Sequence, residues 1–258
     1  MAIITLTTDW RNDDFYVGAI KGRIFTRCPG VNVVDITHKI EGYKSAHAAF
    51  ILRGTYPYFP EGTIHLLCTN SEITQARLPI CICHNGHFFV GADSSAFRVL
   101  FDDKPNKVIV LDPGKFRLST FPELSVFTEA ACMLANGVPP DDLGTDITEE
   151  FPILNLSPSC TADTISGSVI YIDSYKNLIT DITIGQFESI RNGRKFEIVV
   201  KNDTYKISNI SMKYSDVRSG ELLALFNSLG LLEIAMRDAY LASLANIECN
   251  NSVLIKFI

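Results

Sequence analysis

The stretch Ile3-Ile4-Thr5-Leu6-Thr7-Thr8-Asp9-Trp10-Arg11-Asn12-Asp13-Asp14-Phe15-Tyr16-Val17-Gly18 decides the fold class. Its first part, Ile3–Thr8, is rich in β-branched residues and reads as a strand that stops abruptly at Asp9. Three carboxylates (Asp9, Asp13, Asp14) follow, and the stretch 15–24 behind them looks helical. A strand tip that hands acids to a helix start is the usual ligand position in an open α/β sheet. Such acids accept hydrogen bonds from hydroxyls or face a cation, and they do not suit a phosphate. The bland alternative is that Asp13 or Asp14 only caps the helix. With Asp9 at the strand tip and two more acids beside it, binding is the favoured reading.

The sequence has 258 residues, 47 % apolar and 20 % charged, as in ordinary globular proteins. Its formal net charge is −6 without a basic run, which argues against a nucleic-acid surface. No stretch approaches the ~20 uncharged apolar residues that span a bilayer, and the N-terminal residues carry no secretory pattern. The seven cysteines are odd in number, and the close pair Cys81 and Cys83 lacks zinc or redox spacing. Reduced, buried thiols in a cytoplasmic protein are therefore expected.

Up to about residue 150 strands and helices alternate. Strands are expected at Ile3–Thr8, 31–36, 63–69, 78–83, 87–91 and Lys107–Leu111, and helices at 16–25, 45–56 and 126–136. That alternation predicts an α/β domain over 1–150 with a mainly parallel sheet. A Pro- and Ser/Thr-containing linker is expected over 151–164. From 165 to 258, short strands separated by turn residues predict a smaller all-β, barrel-like domain, with a short helix around 237–245.

Several blocks, in order, carry a resemblance. They are Thr7-Thr8-Asp9 with Asp14 and Tyr16-Val17-Gly18; Val34-Asp35-Ile36-Thr37-His38-Lys39-Ile40; Ala48-Ala49-Phe50-Ile51-Leu52; and Phe59-Pro60-Glu61-Gly62-Thr63-Ile64-His65. Later come Phe89-Val90-Gly91-Ala92-Asp93, Ser119-Thr120-Phe121, Tyr171-Ile172-Asp173, Asn177-Leu178-Ile179-Thr180, and Asn227-Ser228 with Leu232-Glu233-Ile234-Ala235. The series resembles the S-adenosylmethionine (SAM) hydroxide adenosyltransferase family, which is related to the SAM-dependent fluorinase and chlorinase. The resemblance implies a homotrimer with sites between subunits and a small-molecule nucleoside, SAM, as substrate or ligand. It implies no metal and no second cofactor. In the hydrolases, water displaces L-methionine from C5′ of the ribose. The sulfonium makes methionine a neutral leaving group, so alignment, desolvation and an in-line nucleophile are what catalysis needs.

By resemblance, Asp9 would accept hydrogen bonds from the ribose diol, while Asp14 and Asp173 would face the methionine ammonium. Tyr43 would place a ring near the ribose and sulfonium, where cation–π attraction operates. Tyr16 and Phe121 belong to the same binding set, Asn177 would reach adenine and Ser228 the methionine carboxylate. Leu229 replaces the arginine that follows this serine in the halogenases. The water-handling set departs most. The family's Asp is Asn70 here, the Arg seven residues later is retained as Arg77, and the His after Ser-Thr-Phe is Pro122. An amide orients water but takes no proton, and proline does neither. Arg77 is thereby expected to lose its carboxylate partner, unless Glu72 or Glu123 supplies one. Two functions stay open: a SAM hydrolase or adenosyltransferase, and a SAM- or adenosine-binding protein with little or no turnover. Among the histidines, His65 is expected in the core, His84 and His87 on an exposed hairpin around Asn85-Gly86, and His38 near the pocket in a structural role. Glu233 is expected to meet a basic side chain across a subunit interface.

Overall fold

A computed structural model describes residues 2–11, 13–41, 44–117, 119–154, 157–201 and 205–258. The chain divides into two units, Met1–Asn155 and Leu156–Ile258.

In the first unit the elements run β1 (Ile3–Thr8), α1 (Tyr16–Arg27), β2 (Asn32–Thr37), α2 (Ser45–Arg53), β3 (Ile64–Cys68), β4 (Pro79–His84), β5 (His87–Ala92), α3 (Ser95–Leu100), β6 (Lys107–Leu111), α4 (Thr128–Ala135) and β7 (Gly144–Asp146). The seven strands order as β2-β1-β3-β5-β4-β6-β7. Strands β1 and β3 are buried along almost their whole length, as central strands covered on both faces must be. Ile20 and Ile24 of α1 pack with Ala130 and Ala131 of α4 on one face. On the other face Ala48 and Leu52 of α2 pack with Phe97 and Leu100 of α3.

The sheet is mixed rather than mainly parallel. β1 pairs parallel with β2 and β3, and β3 with β5. β4 runs antiparallel to β5 and β6, and β6 to β7. The cause is local: His84 pairs with His87 across Asn85 (φ +47°) and Gly86 (φ +77°). Two successive left-handed residues make the two-residue hairpin that suits strand twist, so β4 has to reverse.

The histidines on that hairpin are buried rather than exposed. His84 packs on Phe101 with ring centres 4.5 Å apart, and His87 lies 5.3 Å from Tyr56. His65 sits in the core as anticipated, its Nδ1 2.8 Å from the Thr5 hydroxyl and its Nε2 3.3 Å from His87 Nδ1.

Gly91 holds β5 against β3 next to the strand tips. A Cβ there would come 2.5 Å from the Leu67 carbonyl oxygen and 3.0 Å from the Phe97 ring. The backbone would have to move, so Gly91→Ala is expected to destabilise by about 1–3 kcal/mol, read as a lowered melting temperature.

The second unit comprises β8 (Ser159–Cys160), β9 (Thr164–Ile172), β10 (Leu178–Thr183), α5 (Ile184–Arg191), β11 (Phe196–Val200), β12 (Tyr205–Ile207), β13 (Leu222–Phe226), β14 (Leu231–Met236), α6 (Leu241–Ala245) and β15 (Ser252–Phe257). Its antiparallel sheet orders as β12-β11-β15-β9-β10-β14-β13, with β8 on β9. The edge strands β12 and β13 approach each other, giving a nearly closed barrel. Two helices make it other than all-β. α5 begins at a reciprocal cap in which the Gln186 N–H donates to the Thr183 hydroxyl and the Thr183 N–H to Gln186 Oε1. Its Phe187 then fills the barrel against Phe196, Phe226 and Phe257 at 5.0, 5.4 and 5.7 Å. α6 begins at Leu241, later than the sequence suggested. Residues 202–204, between β11 and β12, lie outside the described residues.

All seven cysteines are free thiols. Among the described residues no helix is long and apolar enough to cross a membrane, and no cluster of His, Cys, Asp and Glu is arranged to hold a metal.

Candidate functional site

The first crossover lays β2 on one side of β1, and the chain returns to place β3 on the other side. The order of strands therefore reverses at β1, and a crevice opens at the carboxyl ends of β1 and β3. Thr8 is in register with Cys68, so Asp9 emerges level with Thr69 and next to Asn70. The Asn70 N–H donates to Asp9 Oδ2 at 3.2 Å. Asn70 holds φ +49°, a left-handed conformation that asparagine tolerates better than most residues.

Beyond Asn70 the loop turns back at Thr74 and Arg77, which exchange backbone hydrogen bonds of 3.0 and 3.1 Å. That turn brings the Arg77 guanidinium onto Asn70, where Nη1 donates to the backbone carbonyl at 3.1 Å and to the side-chain Oδ1 at 3.0 Å. Arg77 is thus not stranded, because the amide supplies an acceptor where a carboxylate was expected. The proposed substitutes do not reach it: Arg77 forms no ion pair with Glu72 or Glu123, and Glu72 is exposed.

An aromatic group borders Asp9. Tyr16 and Phe121, both anticipated, meet edge-on with ring centres 5.2 Å apart. Trp10, which sequence reasoning left unassigned, completes the group at 6.0 Å from Tyr16 and 5.7 Å from Phe121. Phe15 precedes the first helical residue of α1 and no side chain caps it, so the capping alternative for Asp13 and Asp14 is not realised. Both acids are exposed. Tyr43 lies outside the described residues.

Phe121 leads into Pro122 and Glu123. The Ser119 hydroxyl accepts from the Phe121 N–H at 3.1 Å, which fixes the entry to the helix. The first turn, Glu123–Phe127, is widened: the Thr128 N–H reaches back five residues to the Glu123 carbonyl, and such turns recur at functional sites. A cavity of about 670 Å³ opens here, lined by Ser71, Glu72 and Ile73 on one side and Thr120, Pro122 and Glu123 on the other.

Glu123 is only 7 % exposed. Burial lifts its carboxyl above the usual range, its own N–H and the nearby Ser71 hydroxyl oppose this, and the charge of Asp9 adds to it. Burial also raises Asp9, against the pull of the Asn70 N–H. The buried Cys68 thiol is pushed up by desolvation and then by Glu123 and Asp9. One further strand tip, Asp93 after β5, is neutralised by Arg98 at 2.7 Å. The crevice is therefore an acid pair with an arginine fastened to uncharged oxygens beside it. In the sequence Glu123, directly after Ser-Thr-Phe-Pro, was weighed with Glu72 as a source of the missing charge.

In the second unit Asp173 and Asn177 are joined. The Asn177 N–H donates to Asp173 Oδ1 at 2.8 Å and its Nδ2 to Asp173 Oδ2 at 3.2 Å. Asn177 Nδ2 also donates to Glu233 Oε1 at 3.1 Å. Glu233, 4 % exposed, further accepts from the Tyr214 hydroxyl at 2.5 Å and from Asn227 Nδ2 at 3.4 Å. Within this unit Glu233 is surrounded by neutral donors. Tyr214 is held well above an ordinary phenol by burial and by Glu233. Ser228 is exposed in the turn between β13 and β14.

Residues 4–144 match the family described as SAM hydroxide adenosyltransferase N-terminal domain, and residues 167–254 its C-terminal domain. The (R)-S-adenosyl-L-methionine hydrolase of Thermus thermophilus is 27 % identical over 251 residues, covering 92 % of each chain. A protein of the same name from Methanocaldococcus jannaschii is 29 % identical over 261 residues, covering 95 % of this chain and 92 % of its own. In fold, an uncharacterized conserved protein from Thermotoga maritima superposes with a TM-score of 0.86 at 22 % identity, covering 99 % of this chain and 100 % of the other.

Proposed function

Because the chain belongs to the SAM hydroxide adenosyltransferase family, we propose that it binds SAM at the tips of β1 and β3 and hydrolyses it to adenosine and L-methionine. The observation that carries this reading is the linked set Asp9–Asn70–Arg77 beside an open cavity. Asp9 offers acceptors for a vicinal diol, the rings of Trp10, Tyr16 and Phe121 suit a nucleoside and its sulfonium, and Asn70 with Arg77 orients the incoming water. Asp14, Tyr43, Asp173, Asn177 and Ser228 remain the proposed contacts to the rest of the ligand, and a homotrimer is the proposed assembly.

A second reading is favoured by Asn70 itself: its amide satisfies Arg77 but takes no proton, and Pro122 contributes no polar side chain. On that reading the protein binds SAM or adenosine with little or no turnover. Purified protein incubated with SAM decides between them. Release of adenosine and methionine in equal amounts supports hydrolysis; a raised melting temperature with SAM recovered intact supports binding alone. Neither turnover nor stabilisation would sink both.

A further inference from the structure

We propose that Glu123 is the general base of this site, taking over the proton-handling role that neither Asn70 nor Pro122 can perform. The inference rests on the hydrolytic reading above. Three independent features of the geometry carry it.

Glu123 is buried and still lines the open cavity, so its carboxyl is shielded from bulk water yet faces space that a small molecule can enter. Among the described residues Glu123 forms no ion pair, and the guanidinium of Arg77 is held by Asn70 instead. A buried carboxylate without a cation is destabilising, by several kcal/mol in unfavourable cases; such sites are kept where chemistry uses them. Finally, the buried hydroxyl of Ser71 lies on the same cavity wall, near enough to the Glu123 carboxyl to favour its charged form. A donor and an acceptor thus stand side by side, ready to hold a water between them. Desolvation, reinforced by Asp9, favours the protonated form of Glu123, which brings its basicity closer to neutral pH, where a general base works best.

The step balances as follows. The water oxygen forms a bond to C5′ of the ribose while the C5′–S bond breaks. The electron pair of that bond stays on sulfur, which becomes the neutral thioether of L-methionine. The proton leaving the water passes to the Glu123 carboxylate and then to solvent. Charge is conserved: the sulfonium cation and water yield two neutral products and a proton.

The test compares wild type, Glu123→Gln and Glu123→Asp in adenosine release from SAM between pH 4.5 and 8, with SAM affinity measured by calorimetry. Glu123→Gln should lower kcat by about 10²–10⁴-fold with SAM affinity unchanged. The wild-type rate should fall on the acid side with a midpoint above that of an ordinary glutamate. That limb should vanish from the residual rate of Glu123→Gln and persist in Glu123→Asp, which keeps a carboxylate and recovers part of the rate. Undiminished turnover in Glu123→Gln overturns the inference while leaving the hydrolase reading intact. Loss of SAM affinity in parallel with kcat also overturns it, since that marks a structural role. A wild type that binds SAM and releases no adenosine overturns both. Should Glu123→Gln fail to fold, Glu123→Asp decides: a lowered kcat at unchanged KM with a displaced acid limb supports the base, and an unchanged limb overturns it.

Discussion

Replacing Asp9 with asparagine should lower kcat/KM for adenosine release by about 100-fold or more, corresponding to ~3 kcal/mol for lost hydrogen bonds to a charged acceptor. Asp9 sits where the order of strands reverses, and one of its oxygens is already committed to the Asn70 N–H. In asparagine the single carbonyl oxygen keeps that backbone bond, and the remaining position becomes an NH₂ donor. A sugar hydroxyl that donates to a carboxylate then meets a donor instead. The fold should survive, because the Asn70 bond persists and the removed charge is half-buried. Steady-state kinetics together with a melting curve check the result; an unchanged kcat/KM would remove Asp9 from the site.

The second large effect concerns acid stability. His65 is fully buried among Tyr56, Phe59 and Phe89, and burial lowers its pKa from 6.5 to about 3, with His87 adding to the shift. Between those values the unfolded chain binds a proton that the folded one refuses, so the contribution is intact above pH 6.5, declines as the pH falls, and levels off near pH 3. At pH 4.5 the loss from His65 alone is ~3 kcal/mol, taking 1.36 kcal/mol per unit. His65→Phe keeps an aromatic ring but leaves the Thr5 hydroxyl and His87 Nδ1 without partners, a loss of about 1–2 kcal/mol at pH 7. The two stability curves should therefore cross. The variant is the weaker protein at pH 7 and the stronger at pH 4.5, measured by urea midpoints at both. Parallel curves would mean that His65 is protonated in the folded state.

How much of this was legible in the sequence varied with the range of the signal. The strand Ile3–Thr8, its stop at Asp9 and the helix after it were readable because they depend on neighbours in the chain. Asn85-Gly86 was readable as a hairpin, yet its consequence for the sheet was missed: the alternation of helices and strands elsewhere outweighed one reversed strand in the reading. α5 announced itself through the spacing of Thr183 and Gln186, the signature of a reciprocal cap, but the apolar run ending at Ile184 masked it as a continuing strand. At the site, residue types revealed what had been replaced and not how the replacement was absorbed. That Asn70 satisfies Arg77 through two oxygens depends on the left-handed turn at Asn70 and the return of the chain at Thr74, geometry that no composition argument contains. The burial of His84 and His87 likewise comes from rings far away in sequence.

The carboxylates around Asn177 have a consequence for recognition. Its amide nitrogen carries two hydrogens, and Asp173 and Glu233 each receive one. This fixes the amide's orientation, since flipping it would press a carbonyl against two anions. The side chain is left speaking in one direction: whatever molecule reaches Asn177 meets an oxygen asking for a hydrogen. For the adenine contact proposed for Asn177, that oxygen would accept from an exocyclic amine and would offer nothing to a keto group.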